Sequence, residues 1–249
     1  MCVCHDHNAF QNMHSPDRIW AISSVHSELD HLVNLHDALV EKLQPGDRIV
    51  YLGNYTGYGP YAKETIDELL TFRRLVLSMP GFMSHDLIYL RGFQEELWYQ
   101  LTQLQFTQHP VDLLLEMLGN GMGNTLKSYG INIHDGVIAS REGIMPLTRW
   151  TSDVRNTLRV HEGHEQFMMH HKRGAYTNIG ETTPTLFVNE GTCPEESPFD
   201  KVIRGYDPNR EGVQLNCVQA SLDGGCGFGG SLICAQLDAQ GTIYELMEA

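Results

Sequence analysis

An α/β fold with a β-rich second half is predicted by three observations along the 249-residue chain. Short apolar runs alternate with amphipathic stretches up to about residue 90. Residues 94–175 are rich in helix formers and poor in strand signals. After Pro184, strand-like runs recur between Gly, Pro, Asn and Asp.

The elements follow in order. Residues 1–16 read as a disordered tail ending at Ser15-Pro16. Arg18 to Ser23 is a short apolar run, expected to be the first buried strand. From Glu28 to Leu43 the apolar residues Leu29, Leu32, Val33, Leu39, Val40 and Leu43 fall on one helical face. Pro45-Gly46-Asp47 makes a turn into a second strand over Arg48–Leu52. A helix over Ala62–Leu77 and a strand over Leu87–Leu90 come next. Within 94–175, helices are expected over Glu95–Leu104, Val111–Leu118 and Asp153–His171, the first two separated from the third by a Gly119–Gly123 loop. Strands are expected at Leu186–Val188, Val202-Ile203, Val213–Ala220, Ser231–Leu237 and Ile243-Tyr244. Residues 17–249 are read as one domain carrying a helical insertion at about 94–175, with no internal repeat.

Composition narrows the function classes. Apolar residues make up 41% of the chain, enough for a sizeable core. The net charge of −14 repels nucleic-acid phosphates and anionic lipid, so neither partner is expected. No apolar run reaches the roughly 18 residues of a membrane span. Met1–His14 lacks the apolar centre of a signal peptide, which makes a cytoplasmic protein the expectation. Cys2, Cys4, Cys193, Cys217, Cys226 and Cys234 form no C-x-x-C pair and are expected to be free thiols.

In open α/β sheets, ligands collect at strand ends. The loops there are Ser23–Ser27, Gly53–Pro60, Arg91–Glu95 and Asn189–Gly191. They are chemically poor, and no cluster of carboxylates and imidazoles meets the needs of a di-metal site. Val188-Asn189-Glu190-Gly191, Gly205-Tyr206-Asp207-Pro208 and Leu222-Asp223-Gly224-Gly225-Cys226-Gly227-Phe228-Gly229-Gly230 complete a series of framed loops. In order and framing, this series resembles the serine/threonine-phosphatase (calcineurin-like) branch of the metallophosphoesterases, including bacterial relatives of diadenosine tetraphosphatases. That family reads G-D-I-H-G, G-D-Y-V-D-R-G-P, R-G-N-H-E, V-H-A-G, G-H-[TD]-P and D-[TG]-G. Asn124-Thr125-Leu126-Lys127-Ser128-Tyr129-Gly130 also looks like a segment of bacterial members. The resemblance runs from about Arg18 onward and implies a sandwich of two mixed β-sheets flanked by helices.

Each loop departs from the family at a working residue. Ser24 stands where the resemblance implies the first metal-binding Asp, while the partner imidazole remains as His26. Asn54 replaces the bridging Asp. Phe93 replaces the Asn ligand and Gln94 the catalytic His. Asn189 and Tyr206 replace two further His ligands, and Gly57 and Tyr58 replace an Asp and the phosphate-binding Arg. Gly53, Tyr55, Gly59, Pro60, Gly92 and Glu95 of the frame match. A two-metal hydrolase needs anionic or imidazole ligands to hold ions roughly 3.5–4 Å apart. Ser24 and Asn54 are neutral, Phe93 cannot ligate, and an amide at Gln94 cannot serve as a general acid. Tyr206 would ligate only as tyrosinate, and an unperturbed phenol titrates at about 10. The expectation is a catalytically inactive phosphatase-like protein with no catalytic residue, no metal and no cofactor. Its partner is expected to be a protein, such as a phosphoprotein or an active phosphatase paralogue. The rival reading is a phosphoesterase with a rebuilt site using His26, Tyr206 and Arg91.

Other features read as structural. His26 fits a hydrogen-bonded histidine at a strand end. Cys2, Cys4, His5, Asp6, His7 and His14 have transition-metal chemistry but fit a tail. His161, Glu162, His164 and Glu165 miss the H-E-x-x-H spacing, so a solvated helix face is expected, with His170 and His171 further along it. The glycine run at 223–230 lacks a P-loop lysine and fits a tight β turn. Cys226 has no visible base to activate it, and Arg91 is a candidate residual phosphate contact. Emptied of ions, the old site is expected to be filled by the rings of Tyr58, Phe93 and Tyr206.

Overall fold

The computed structural model describes residues 9–169, 171–191 and 198–249. Strands β1 (Phe10–Asn12) and β2 (Ile19–Ile22) precede helix α1 (Leu29–Val40). Strand β3 (Arg48–Tyr51), helix α2 (Ala62–Ser78) and strand β4 (Leu87–Tyr89) follow. The helical stretch then runs through α3 (Phe93–Leu101), α4 (Pro110–Met117), α5 (Gly123–Ser128), α6 (Ile133–Glu142), α7 (Ile144–Val160) and α8 (His164–Met169). The second half supplies β5 (Gly174–Tyr176), β6 (Thr185–Val188), β7 (Lys201–Arg204), β8 (Gln214–Leu215), β9 (Gln219–Ser221), β10 (Ile233–Leu237) and β11 (Ile243–Glu248).

Among the described residues these strands form two mixed sheets, ordered β11-β10-β2-β3-β4 and β1-β5-β6-β7-β9-β8. Strands β2, β3 and β4 run parallel, with β10 antiparallel to β2. In the other sheet β6, β7 and β9 run parallel. Side chains alternate across each strand. In β2 and β3, Ile19, Ala21 and Val50 face the other sheet, where they meet Phe187, Ile203 and Ala220. Trp20, Ile22, Ile49 and Tyr51 face the helices, where they meet Leu32, Leu35, Leu39, Ile66 and Phe72. Both faces are buried, which is why these strands appear in the sequence as continuous apolar runs rather than alternating ones. Asp47 fixes the start of β3. It accepts from Arg18 Nε at 2.8 Å, Trp20 Nε1 at 3.0 Å and the Gln44 amide at 2.9 Å.

Three expectations are corrected. The tail does not extend to residue 16: β1 pairs in parallel with β5, and Met13 is buried between the sheets. Backbone pairing alone supports that strand, and Gly174 admits the Phe10 ring where a Cβ would lie 2.6 Å from Phe10 Cε1. Residues 1–8, which include Cys2, Cys4, His5, Asp6 and His7, lie outside the described residues, as do His170 and Cys193. The helix expected over Asp153–His171 is two helices, since Gly163 turns the chain at φ +84°. Residues Val213–Ala220 bend into the β8–β9 pair rather than one strand.

The two sheets come close together where β7 ends. A Cβ on Gly205 would lie 2.4 Å from Leu52 Cβ. Gly205→Ala is expected to cost about 1–3 kcal/mol by overpacking. Urea unfolding should show a lower midpoint at unchanged slope, and an unchanged midpoint would contradict this packing.

Candidate functional site

The site is built from loops that leave the strand ends and bond to one another. The Ser24 amide donates to Gly205 O at 3.1 Å, joining the two sheets. The Val25 and His26 amides donate to Asn54 O at 3.1 and 2.8 Å, and Gly59 N donates to His26 O at 2.7 Å. Tyr206 N donates to Asn189 O at 2.9 Å. Three residues here adopt left-handed backbone: His26 (φ +50°), Ser27 (φ +66°) and Asn54 (φ +57°). Such conformations persist only where surrounding contacts over-determine them.

Glu95 ties two loops together. Its carboxylate is fully buried and accepts from Gly92 N at 2.8 Å, Asn54 N at 2.9 Å and Tyr55 N at 3.0 Å. Burial raises its carboxyl above the ordinary range, and the amide donors act against that rise.

At the centre lie Ser24, Asn54 and Asn189, all buried. Asn54 Nδ2 donates to Ser24 Oγ at 3.2 Å and Asn189 Nδ2 approaches the same oxygen at 3.4 Å. Asn189 Nδ2 also donates to Leu52 O at 2.7 Å. The amide oxygens accept from backbone, Asn54 Oδ1 from Gln94 N at 3.0 Å and Asn189 Oδ1 from Phe93 N at 3.4 Å. The cluster is neutral, and its side-chain polar atoms are met by one another and by backbone.

Beside it sits His26, 1% exposed, within a ring cage. Tyr58, Tyr206 and Phe228 approach it edge-on, with centroids at 5.2, 5.6 and 5.7 Å. Tyr58 and Phe228 lie 4.3 Å apart, and the Arg210 guanidinium caps Phe228 at 3.5 Å. Burial lowers the His26 imidazole from 6.5 to about 4, with the Thr56 backbone opposing and Arg210 adding to the fall. Neither ring nitrogen meets a partner in good hydrogen-bond geometry. Burial likewise raises the Tyr206 phenol and pushes the Cys226 thiol up to about 12. Cys226 is therefore held as an inert thiol, donating to Val25 O at 3.2 Å.

No family model matches the chain, and no curated protein is similar to it. Solved structures are. A candidate diadenosine tetraphosphatase matches at a TM-score of 0.52 and 13% identity, covering 97% of this chain and 98% of that one. A protein serine/threonine phosphatase from Saccharomyces cerevisiae follows at 0.48 and 12%, with 97% and 83% covered. The chain has the metallophosphoesterase fold.

In that fold, the donor set of this chain does not fit a pair of divalent ions. Among the described residues no three His, Cys, Asp or Glu side chains are grouped to hold a metal. The residues that do converge are a hydroxyl, two amides and one caged imidazole, none of them an anion. Asp207 and Asp223 are near but brace a turn. Asp223 Oδ2 accepts from Asp207 N at 2.8 Å, and Arg204 approaches Asp207 at 3.3 Å.

The structure brings Ser24, His26, Asn54, Gln94, Asn189 and Tyr206 together at the ends of the strands. Gln94 donates from Nε2 to Asn120 O at 2.8 Å, which fastens the helical insertion over the loop. Gly121 packs there because a Cβ would lie 3.1–3.2 Å from Gly57 and Tyr58. Phe93 does not fill the site. As the first residue of α3 it is 40% exposed, and the third ring against His26 is instead Phe228, from the loop that leads into β10. Arg91 is engaged, donating to Met169 O at 3.1 Å, approaching Glu96 at 3.4 Å and lying over Tyr99. It lines a shallow hollow of about 290 Å³ with Arg173 and Glu190. His164 is not on a solvated face. Its ring is fully buried between Tyr129 and Asp67, at 2.8 and 3.0 Å. Phe228, Arg210 and Asn120 were not singled out from the sequence. The one signal for Phe228 is that it is the sole large side chain in its glycine run.

Proposed function

We propose that this chain is a non-hydrolytic member of the phosphatase fold, acting by binding a partner rather than by turning over a phosphoester. The observation that carries this reading is the neutral, mutually bonded cluster of Ser24, Asn54 and Asn189. A di-metal phosphoesterase uses that space to acidify a water and to offset charge on the transferring phosphoryl group. A partner of protein class, either a phosphoprotein or an active phosphatase paralogue, fits the absence of a nucleic-acid-binding charge on a −14 chain. The rebuilt-hydrolase alternative gains little from the geometry, since His26 is sealed under three rings and Arg91 is engaged elsewhere.

The test is a turnover assay on aryl phosphates, phosphopeptides and dinucleoside polyphosphates, with and without manganese. Wild type and Asn54→Asp are both expected to stay at background, because ligands of a metal pair act as a unit. Reversion at all of Ser24→Asp, Asn54→Asp, Phe93→Asn, Gln94→His, Asn189→His and Tyr206→His is the form in which metal binding returns. Metal-dependent turnover by wild type, lost in His26→Ala, would overturn the proposal.

A further inference from the structure

We propose that two copies of this chain join through strand β11, antiparallel and side by side, into one continuous sheet with a twofold axis at Met247. An edge strand carries backbone groups that nothing pairs, and proteins limit this by keeping such strands short or covered. Three of the four sheet edges here are short: β1 and β4 have 3 residues each and β8 has 2. The fourth, β11, has 6. None of Ser24, His26, Asn54, Gln94, Asn189 or Tyr206 lies on it, so the inference does not rest on the non-hydrolytic reading.

The register says which backbone groups are available. Leu232 and Ala249 exchange both backbone hydrogen bonds, at 2.9 and 3.0 Å. Bonded and non-bonded pairs alternate along an antiparallel ladder. Met247 and Glu245 therefore bond inward to Cys234 and Gln236, and the amides and carbonyls of Leu246 and Glu248 point away from β10. Both residues are exposed, and none of these four groups meets a partner among the described residues. At the far end the ladder is interrupted by a bulge, where Tyr244 is the extra residue opposite Gln236 and Leu237. A twofold axis at Met247 sets Leu246 of each copy opposite Glu248 of the other. That register pairs all four free groups of each copy and stops short of the bulge. Moving the axis to Leu246 would instead set Glu248 against the bulged Tyr244.

Side chains fit the same register. Met247 and Ala249 are partly buried against the helix-side core, and on the axis the two Met247 side chains meet and continue that core across it. The strand's two carboxylates face no like charge: Glu245 stands opposite Ala249 and Glu248 opposite Leu246, which is 44% exposed. Glu245 is also balanced by Lys42 at 2.7 Å. A twofold contact is self-complementary by construction, and β11 meets that condition in both backbone and charge. The opposing influence is the −14 charge of each copy, which acts at longer range and is screened by salt. The dimer should therefore tighten as salt rises, whereas a basic strand of another protein on the same edge would be released.

The experiment is sedimentation equilibrium of the full chain from micromolar to submillimolar concentration, at low and high salt. A monomer–dimer equilibrium that tightens with salt is expected. Leu246→Pro removes an amide that points outward, so the β10–β11 ladder keeps all its bonds while the dimer loses two. It should weaken association at least tenfold. If that variant misfolds by circular dichroism, Leu246→Glu decides instead: the change is on an exposed side chain, sets like charges opposite each other, and should weaken association by a similar factor. Met247→Cys in a Cys217→Ser background reads the register. The two backbones at the axis form a non-hydrogen-bonded pair about 4.5 Å apart, within reach of a disulfide. Oxidation should link the two introduced sulfurs, as identified by peptide mapping. A monomer at every concentration, a dimer that weakens with salt, folded Leu246 variants that associate like wild type, or a dimer in which the introduced sulfurs do not link would each overturn the proposal.

Discussion

Glu95→Ala is expected to cost at least about 3 kcal/mol, a large part of the roughly 5–15 kcal/mol that holds a domain together. The carboxylate is the acceptor for three amides on two loops, Gly92, Asn54 and Tyr55, in a fully buried place. Alanine leaves those donors without partner or water, at about 1–3 kcal/mol each. Glu95→Gln should fall between, because one oxygen remains while the new NH2 group faces an amide donor. The reading is equilibrium urea unfolding at pH 7. A loss below about 1 kcal/mol in the alanine variant would mean that the loops find other acceptors, and the clamp described above would be wrong.

The second large effect concerns acid. His26 is neutral in its cage, lowered from 6.5 to about 4, chiefly by burial. Unfolding frees the ring to titrate near 6.5. Above that value both states hold the ring neutral and its contribution to stability is complete. As pH falls from about 6.5 toward 4, the unfolded chain takes up the proton and the folded one does not. Stability is therefore lost through that window and levels off below about 4. The size is about 3 kcal/mol from this one residue. His36 and His164 are also lowered, mainly by burial, so the comparison must isolate His26. His26→Asn suits the left-handed backbone and does not titrate. Unfolding free energies of both proteins at pH 7.5 and 4.5, in chelator, should show the wild-type drop larger by about 3 kcal/mol. Equal drops would place the ring in contact with water.

How much of this was legible depended on what supports each element. Strands β2, β3, β4, β6, β7 and β10 stand out because buried residues on both faces leave continuous apolar runs. Strand β1 is Phe-Gln-Asn, and β5 begins with a glycine beside a helix-rich stretch. Their evidence is a register of backbone pairs, which residue types do not encode. The break before α8 rested on one glycine at positive φ, which a helical pattern tolerates. At the site, the loop frames located Ser24, His26, Asn54, Gln94, Asn189 and Tyr206. The outward place of Phe93 and the contact of Phe228 with His26 were hidden. A phenylalanine at a former ligand position suggests filling by size alone, but at the first turn of α3 its side chain is directed outward. A glycine run suggests a turn and gives no reason to assign its single ring a task.

The central place of β2 bears on how the chain is made. Its neighbour β3 is complete within some thirty residues, but its other neighbour is β10, and the bond from Ile233 N to Ser23 Oγ spans 210 positions. At about 5–20 residues per second, one edge of β2 waits about 10–40 s during translation before its partner exists. An apolar strand with a bare edge is a template for pairing with any other chain that passes. The sheet cannot close on the ribosome while the helical insertion emerges, so folding here is governed by the arrival of β10. Until then the nascent protein depends on whatever shields the edge of β2.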